Sequence, residues 1–134
     1  MRILALVAIL LVSASASDAG SPYDGSVPMK CAIKTTFMCN GPDVCIRGTA
    51  DSINFPPALN VDLGSRLISG FADGRTARIT SSGRGAGQLM IHGEEVETLG
   101  RAWGVAISET SGRMWGAMLG PAGAVLLFGT CTEP

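Results

Sequence analysis

The C-terminal segment from Ala102 to Cys131 constrains the fold most, because its apolar residues alternate through short runs that turn residues separate. The first run carries large apolar side chains at Trp103, Val105 and Ile107, which is the period of a half-buried β-strand. The last run, Ala124 to Cys131, is almost wholly apolar and of strand length, as expected for a strand covered on both faces. The segment therefore predicts three antiparallel strands joined by two tight turns.

The register of the first of these hairpins depends on the length of its loop. A three-residue loop with its final glycine in the left-handed conformation sets Ile107 opposite Trp115 and places both tryptophans on one face. A four-residue loop would instead pair Ile107 with Met114 and turn Trp115 to the other side. We favour the three-residue loop, because Glu109 and Arg113 then form an opposite-charge pair where the strands meet the loop.

The rest of the chain repeats this spacing of short apolar runs and turns. Further strand-like runs begin at Met29, Val44, Leu59, Leu67, Thr76 and Ala86. Eight or nine short strands with a turn roughly every eight to twelve residues predict an all-β domain. We expect a single antiparallel meander rolled into a barrel, with a Greek-key sandwich as the alternative. One short helix is allowed, near Glu94 to Leu99.

The first strand, Met29 to Cys39, is expected to be amphipathic with a solvated outer face. Strict alternation assigns its inner face to Cys31, Ile33, Thr35 and Phe37, and its outer face to Lys30, Lys34 and Thr36.

The N-terminus has the pattern of a secretory signal peptide: a positive start, a short apolar core and small residues for cleavage. We expect cleavage after Ala16, with Ala19 as the alternative, because the apolar run is too short for a permanent membrane span. The predicted divisions are a signal peptide (1–16), a flexible lead (17–27) and a single β domain (28–134). A periplasmic or extracellular location follows from this division.

Charge gives no indication of a polyanionic partner. The full chain has 10 basic and 11 acidic residues, and loss of Arg2 with the signal peptide leaves 9 minus 11, or −2. We therefore expect neither nucleic-acid binding nor association of the cleaved chain with a membrane.

The four cysteines are an even number in a chain predicted to be exported, which indicates disulfides. Cys39 and Cys45 flank a turn-rich loop and are expected to pair, which leaves Cys31 with Cys131. No closely spaced pair of ligands supports a zinc site, and no other metal or cofactor is expected.

No stretch of the sequence carries a catalytic pattern. The run Gly83 to Gly87 lacks the following helix that a phosphate-binding loop needs, and is interpreted as a hairpin loop. His92 is the only histidine, but no nucleophile motif accompanies it. The acidic run Glu94 to Glu97 is typical of a solvated turn. We therefore expect a protein that is not an enzyme.

Two tryptophans and the methionines are candidates for a ligand pocket inside the barrel. The residues predicted to line it are Trp103, Trp115, Met90 and Met118, with Met114 also considered. The alternative is that these side chains fill a packed core, because a barrel of eight strands either packs fully or holds one small ligand.

In layout, the mature chain resembles a group of uncharacterised small exported bacterial all-β proteins. The shared features are an early C-x7-C-x5-C set beginning at Cys31, a late W-x-V-x-I-x4-G hairpin beginning at Trp103, and a terminal G-x-C ending at Cys131. A looser likeness connects it to lipocalin-like barrels and to barrel-shaped periplasmic lysozyme inhibitors. The resemblance implies an exported β domain, and no functional residue is carried over from any of these groups.

Two functions follow as hypotheses. The first is binding of a small apolar ligand inside the barrel, or a structural role. The alternative is a protein-binding module or inhibitor that acts through the Gly83 to Gly87 loop or the acidic run at Glu94 to Glu97.

Overall fold

The computed structural model describes residues 20–95 and 100–133, and these form nine antiparallel strands. The strands are β1 (Met29–Gly41), β2 (Val44–Gly48), β3 (Ala58–Asp62), β4 (Leu67–Gly70), β5 (Thr76–Gly85), β6 (Gln88–Glu95), β7 (Arg101–Ser108), β8 (Arg113–Gly120) and β9 (Gly123–Thr132). A single 3-10 turn, Asp51–Ile53, lies between β2 and β3. The predicted signal peptide lies outside the described residues.

Eight of the strands close into a barrel, and β2 is added outside it. The strand order is β2-β1-β3-β4-β5-β6-β7-β8-β9, and β1 also pairs with β9. The first half of β1 pairs with β3 and its second half pairs with β2. The predicted all-β, barrel-like meander is confirmed, and the sandwich alternative is wrong because the first and last strands of the barrel are hydrogen-bonded to each other.

Two disulfides hold this arrangement, with the pairing that the sequence predicts. Cys31 and Cys131 are direct partners across the β1–β9 seam, with their Cα atoms 3.9 Å apart. Cys39 and Cys45 join β1 to β2, with a Cα separation of 4.1 Å. The first bridge thus fastens the barrel closure and the second fastens the additional strand.

The predicted alternation along β1 is wrong beyond Ile33. Opposite Gly129 and Phe128 of β9, β1 has one residue too many, so Lys34 forms a β-bulge. The bulge reverses the faces that follow it. Thr36 is fully buried and donates a hydrogen bond from Oγ1 to the Thr49 carbonyl at 3.1 Å, whereas Phe37 lies on the outer face.

The predicted register of the β7–β8 hairpin is also wrong by one residue. The loop has four residues, and Ile107 lies opposite Met114 rather than Trp115. Gly112 does adopt a positive φ of 70°, as predicted, but Glu109 forms its ion pair with Arg84 instead of Arg113. The loop is stabilised locally, since Gly112 N donates to the Ser108 carbonyl at 2.9 Å.

Two predicted loops are partly strand. β5 continues to Gly85, so the glycine-rich hairpin turns on Ala86 and Gly87 alone, with φ of 51° and 72°. Positive φ at both central residues is the turn that fits the twist of a two-residue hairpin. β6 includes Glu94 and Glu95, and the rest of the helix allowed at Glu94 to Leu99 lies outside the described residues.

One half of the barrel interior is a packed core. Nine inward side chains there are at most 2% exposed: Met29, Cys31, Val61, Ile79, Leu89, Ile91, Ile107, Met114 and Cys131. The lead before β1 covers this end, with Tyr23 packed on the core and the backbone of Gly25 against Leu63 and Leu89. Ser21 Oγ anchors the lead by donating to the Glu109 carbonyl. The barrel is therefore closed at this end.

Candidate functional site: an apolar cavity in the barrel

The other half of the barrel is hollow and contains a cavity of about 670 Å³ that opens at the end of the barrel. Its wall is made by inward side chains of seven strands and of the segment between β2 and β3. The apolar side chains of this wall are Met38, Ile53, Phe55, Pro56, Leu59, Ile68, Ala77, Trp103, Val105, Met118, Val125 and Leu127. A volume of this size lies in the range of roughly 300 to 1,000 Å³ that accommodates a small organic molecule.

The segment of residues 49–57 completes the wall where β1 leaves β3 to pair with β2. It is fixed at both ends, because Thr49 accepts the hydrogen bond from Thr36 and the Pro57 carbonyl accepts one from Ile33 N at 2.9 Å. Between these points, Phe55 and Pro56 face the cavity. The two prolines cannot donate to a ladder, so this piece of wall is held by these end contacts and by local turn hydrogen bonds rather than by strand pairing.

Among the described residues that line the cavity, the wall contains one buried polar group, the indole N–H of Trp103, which has no hydrogen-bond partner there. The other polar side chains lie at the rim. They are Asn54, Arg75, Thr76, Glu95 and Arg101. Glu95 and Arg101 are cross-strand partners of opposite charge. Arg75 Nε lies 2.5 Å from Asp73 Oδ2, and Arg75 Nη1 donates to the Asn54 carbonyl at 2.7 Å. Among the described rim residues, Arg75 and Arg101 are therefore each matched by an acidic neighbour.

Asp73 illustrates how the rim is ordered. Hydrogen bonds from the Arg75 backbone N–H and then from its guanidinium lower the pKa of the Asp73 carboxyl. The carboxylate thus stays ionised to a lower pH than an ordinary aspartate and keeps these hydrogen bonds in the β4–β5 loop.

Trp103 and Met118 occupy the positions in the cavity wall that the sequence predicts. They are cross-strand partners on β7 and β8, so they form one contiguous part of the wall. Trp103 lies on Gly93 of β6, where the absence of a side chain makes room for the indole ring.

Trp115 and Met90 were predicted to line the same pocket, and the structure places both on the outer face instead. Their exposed fractions are 39% and 37%, and neither lines the cavity. For Trp115 the cause is the four-residue loop, which turns Met114 inward and Trp115 outward. Met90 lies between Leu89 and Ile91, which both face the core, so it must face outward.

Most of the wall was not predicted from the sequence. Leu59, Val105 and Leu127 belong to alternating or apolar runs that are predicted as strands, but no pocket is predicted for them. Phe55 and Pro56 lie between two predicted strands, where strand alternation gives no information on which side chains face inward. The available signal was the strand alternation itself, which identifies inward residues but does not say which of them face a void.

The residues considered for catalysis do not meet in the described structure. His92 is exposed on the outer face of β6, and its imidazole has no hydrogen-bond partner among residues 20–95 and 100–133. The same residues contain no group of three or more side chains able to hold a metal ion. In this part of the chain, no helix is both long enough and apolar enough to cross a membrane.

Comparisons with protein families, with curated proteins and with solved structures each found no match to this chain. The geometry of the cavity is therefore the basis for assigning a function.

Proposed function

We propose that the protein binds a small apolar molecule inside the open half of its barrel. The observation that carries this proposal is the cavity of about 670 Å³, walled mainly by apolar side chains. Eight-stranded barrels are able to fill their interior with side chains, and this chain does so in its closed half alone. A molecule entering the open half removes its own apolar surface and that of the wall from water.

The rim indicates that the ligand carries no net charge. Arg75 is neutralised by Asp73, and Arg101 faces Glu95 across the strands, so the rim residues within 20–95 and 100–133 provide no excess of either sign. The described residues of the deeper wall include no charged side chain, and moving an ion into it would require desolvation without a partner. A neutral molecule with a largely hydrocarbon body fits both parts of the site.

The proposal places this binding protein in an oxidising compartment outside the cytoplasm. The two disulfides are consistent with such a location, and the N-terminal residues have the signal-peptide pattern. It also assigns the protein no catalytic step. The alternative of a protein-binding module gains no support from the hairpin at Gly83, because only two residues form its turn.

The test is titration with N-phenyl-1-naphthylamine, a neutral probe whose emission rises in apolar surroundings. Ala77 faces the cavity from β5, and Ala77→Phe fills part of the space. Ala102 is exposed on the outer face of β7, so Ala102→Phe adds the same ring outside the barrel. We expect saturable binding to the native protein and to Ala102→Phe, and binding about tenfold weaker or more to Ala77→Phe.

Circular dichroism of each variant establishes that the barrel is folded before the titration. Equal binding to all three proteins would show that the probe occupies a surface site, and no saturable binding to the native protein would reject the proposal. The anionic relative 1-anilinonaphthalene-8-sulfonate tests the charge argument, since the neutral probe is expected to bind more tightly.

A further inference from the structure

Strand β2 carries an open sheet edge in the described structure. It is the terminal strand in the order and has β1 as its single partner, whereas the other eight strands close on themselves. Its apolar side chains are also unusually exposed, with Val44 at 55% and Ile46 at 63%. An exposed apolar strand with a free edge is a surface on which another strand adds.

The geometry of the Cys39–Cys45 bridge shows which backbone groups face that edge. Directly opposed residues in an antiparallel pair have Cα atoms about 4.5 Å apart when they are not hydrogen-bonded to each other, and about 5.5 Å when they are. The separation here is 4.1 Å, so Cys45 belongs to the first class. Its N–H and carbonyl therefore point away from β1, and by alternation so do those of Arg47.

The charges beside this edge select a partner strand. Asp43 immediately precedes β2 and Arg47 lies within it, and both are exposed. Neither forms an ion pair within residues 20–95 and 100–133. The two charges are of opposite sign and each is two residues from Cys45 in the sequence, Asp43 in the β1–β2 turn and Arg47 in the strand. A second β2, added antiparallel about Cys45, would therefore meet opposite charges at both ends.

We propose that two copies of this chain associate through their β2 edges, in antiparallel register centred on Cys45. Asp43 of each copy then faces Arg47 of the second copy, and Val44 faces Ile46 of the second copy, each contact occurring twice. This self-complementary arrangement is what a two-fold axis requires. Shifting the centre to Ile46 places Arg47 opposite Cys45 and forms no ion pair.

The small size of the contact makes this a weak dimer. Five residues on each side bury less surface than the roughly 800 Å² per partner of a standard interface. We expect the dimer to form at high protein concentration and to dissociate on dilution. Because β2 lies outside the barrel, dimer formation leaves the cavity open and is independent of ligand binding.

Sedimentation velocity over a concentration series of the disulfide-bonded protein tests the proposal with a charge exchange. Asp43→Lys places like charges together at both ends, and we expect it to raise the dimer dissociation constant about tenfold or more. The double variant Asp43→Lys, Arg47→Asp restores opposite charges and is expected to recover the native value. In the native protein, amide exchange at Cys45 should slow as concentration rises.

A native protein that stays monomeric at near-millimolar concentration overturns the proposal. So does a dimer that Asp43→Lys leaves unchanged, since that result places the interface elsewhere, and so does a double variant that remains as weak as the single one. Binding of the naphthylamine probe by each variant separates these outcomes from loss of the fold.

Discussion

At the scale of single residues, Gly93 determines whether the large side chain of the cavity wall fits. It faces inward on β6, opposite Trp103 of β7. A Cβ at this position would overlap the indole ring and would lie 2.5 Å from the Arg78 carbonyl oxygen, which is backbone and cannot move aside cheaply. The wall at this point depends on glycine for its lack of a side chain rather than for an unusual φ.

We expect Gly93→Ala to lower the free energy of unfolding by about 1 to 3 kcal/mol, because overpacking forces the ring or the backbone to shift. Gly83 is the matched control: it also lies in a strand, but a Cβ there has no neighbour within 4 Å. Gly83→Ala should change stability by no more than about 1 kcal/mol. Urea unfolding measures the free energy of unfolding of both variants. Equal losses would contradict the close contact between Gly93 and Trp103.

At the scale of elements, two local insertions decide which side chains face the cavity. The bulge at Lys34 turns Thr36 and Met38 inward along β1. The fourth residue of the β7–β8 loop turns Trp115 outward on β8. In both cases side chains alternate between the two faces before and after the extra residue, but the face on which each residue lies is exchanged beyond it.

The two tryptophans therefore test the register of the β7–β8 hairpin. Trp103→Ala removes a ring from the barrel interior and should lower the free energy of unfolding by about 3 kcal/mol or more. Trp115→Ala removes a ring from the outer face, where it faces Phe128 across the strands, and should cost about 1 kcal/mol or less. Urea unfolding followed by circular dichroism distinguishes them, and a loss for Trp115→Ala as large as that for Trp103→Ala would favour the three-residue loop.

At the scale of the whole molecule, closure of the sheet is the feature that supports both the cavity and its stability. The β1–β9 seam removes the two edges that a meander of eight strands would otherwise expose. The Cys31–Cys131 bridge crosses this seam and spans 100 residues of sequence, whereas Cys39–Cys45 spans only 6. The two bridges should therefore restrict the unfolded chain to different extents.

Replacing Cys31 and Cys131 together by alanine should lower the free energy of unfolding by about 4 to 5 kcal/mol, because the bridge closes a long loop of the unfolded chain. Replacing Cys39 and Cys45 should cost about 2 to 3 kcal/mol on the same basis. Urea unfolding of the two double variants provides the comparison. If the two variants lost equal free energy of unfolding, or the Cys39 and Cys45 variant lost more, strain or residual structure rather than loop length would determine how much each bridge stabilises the protein.

The sequence by itself determined the architecture: alternation identified the strands, turn residues separated them, and the number and spacing of the cysteines indicated two bridges whose pairing the structure confirms. Only the tertiary structure decided which side chains line the cavity and that a cavity exists. Alternation has a period but no absolute phase, so a single extra residue at Lys34 or in the β7–β8 loop reverses every face beyond it. Whether a barrel is filled depends on the summed volume of inward side chains from all its strands, and that sum is set by register and closure rather than by any local pattern.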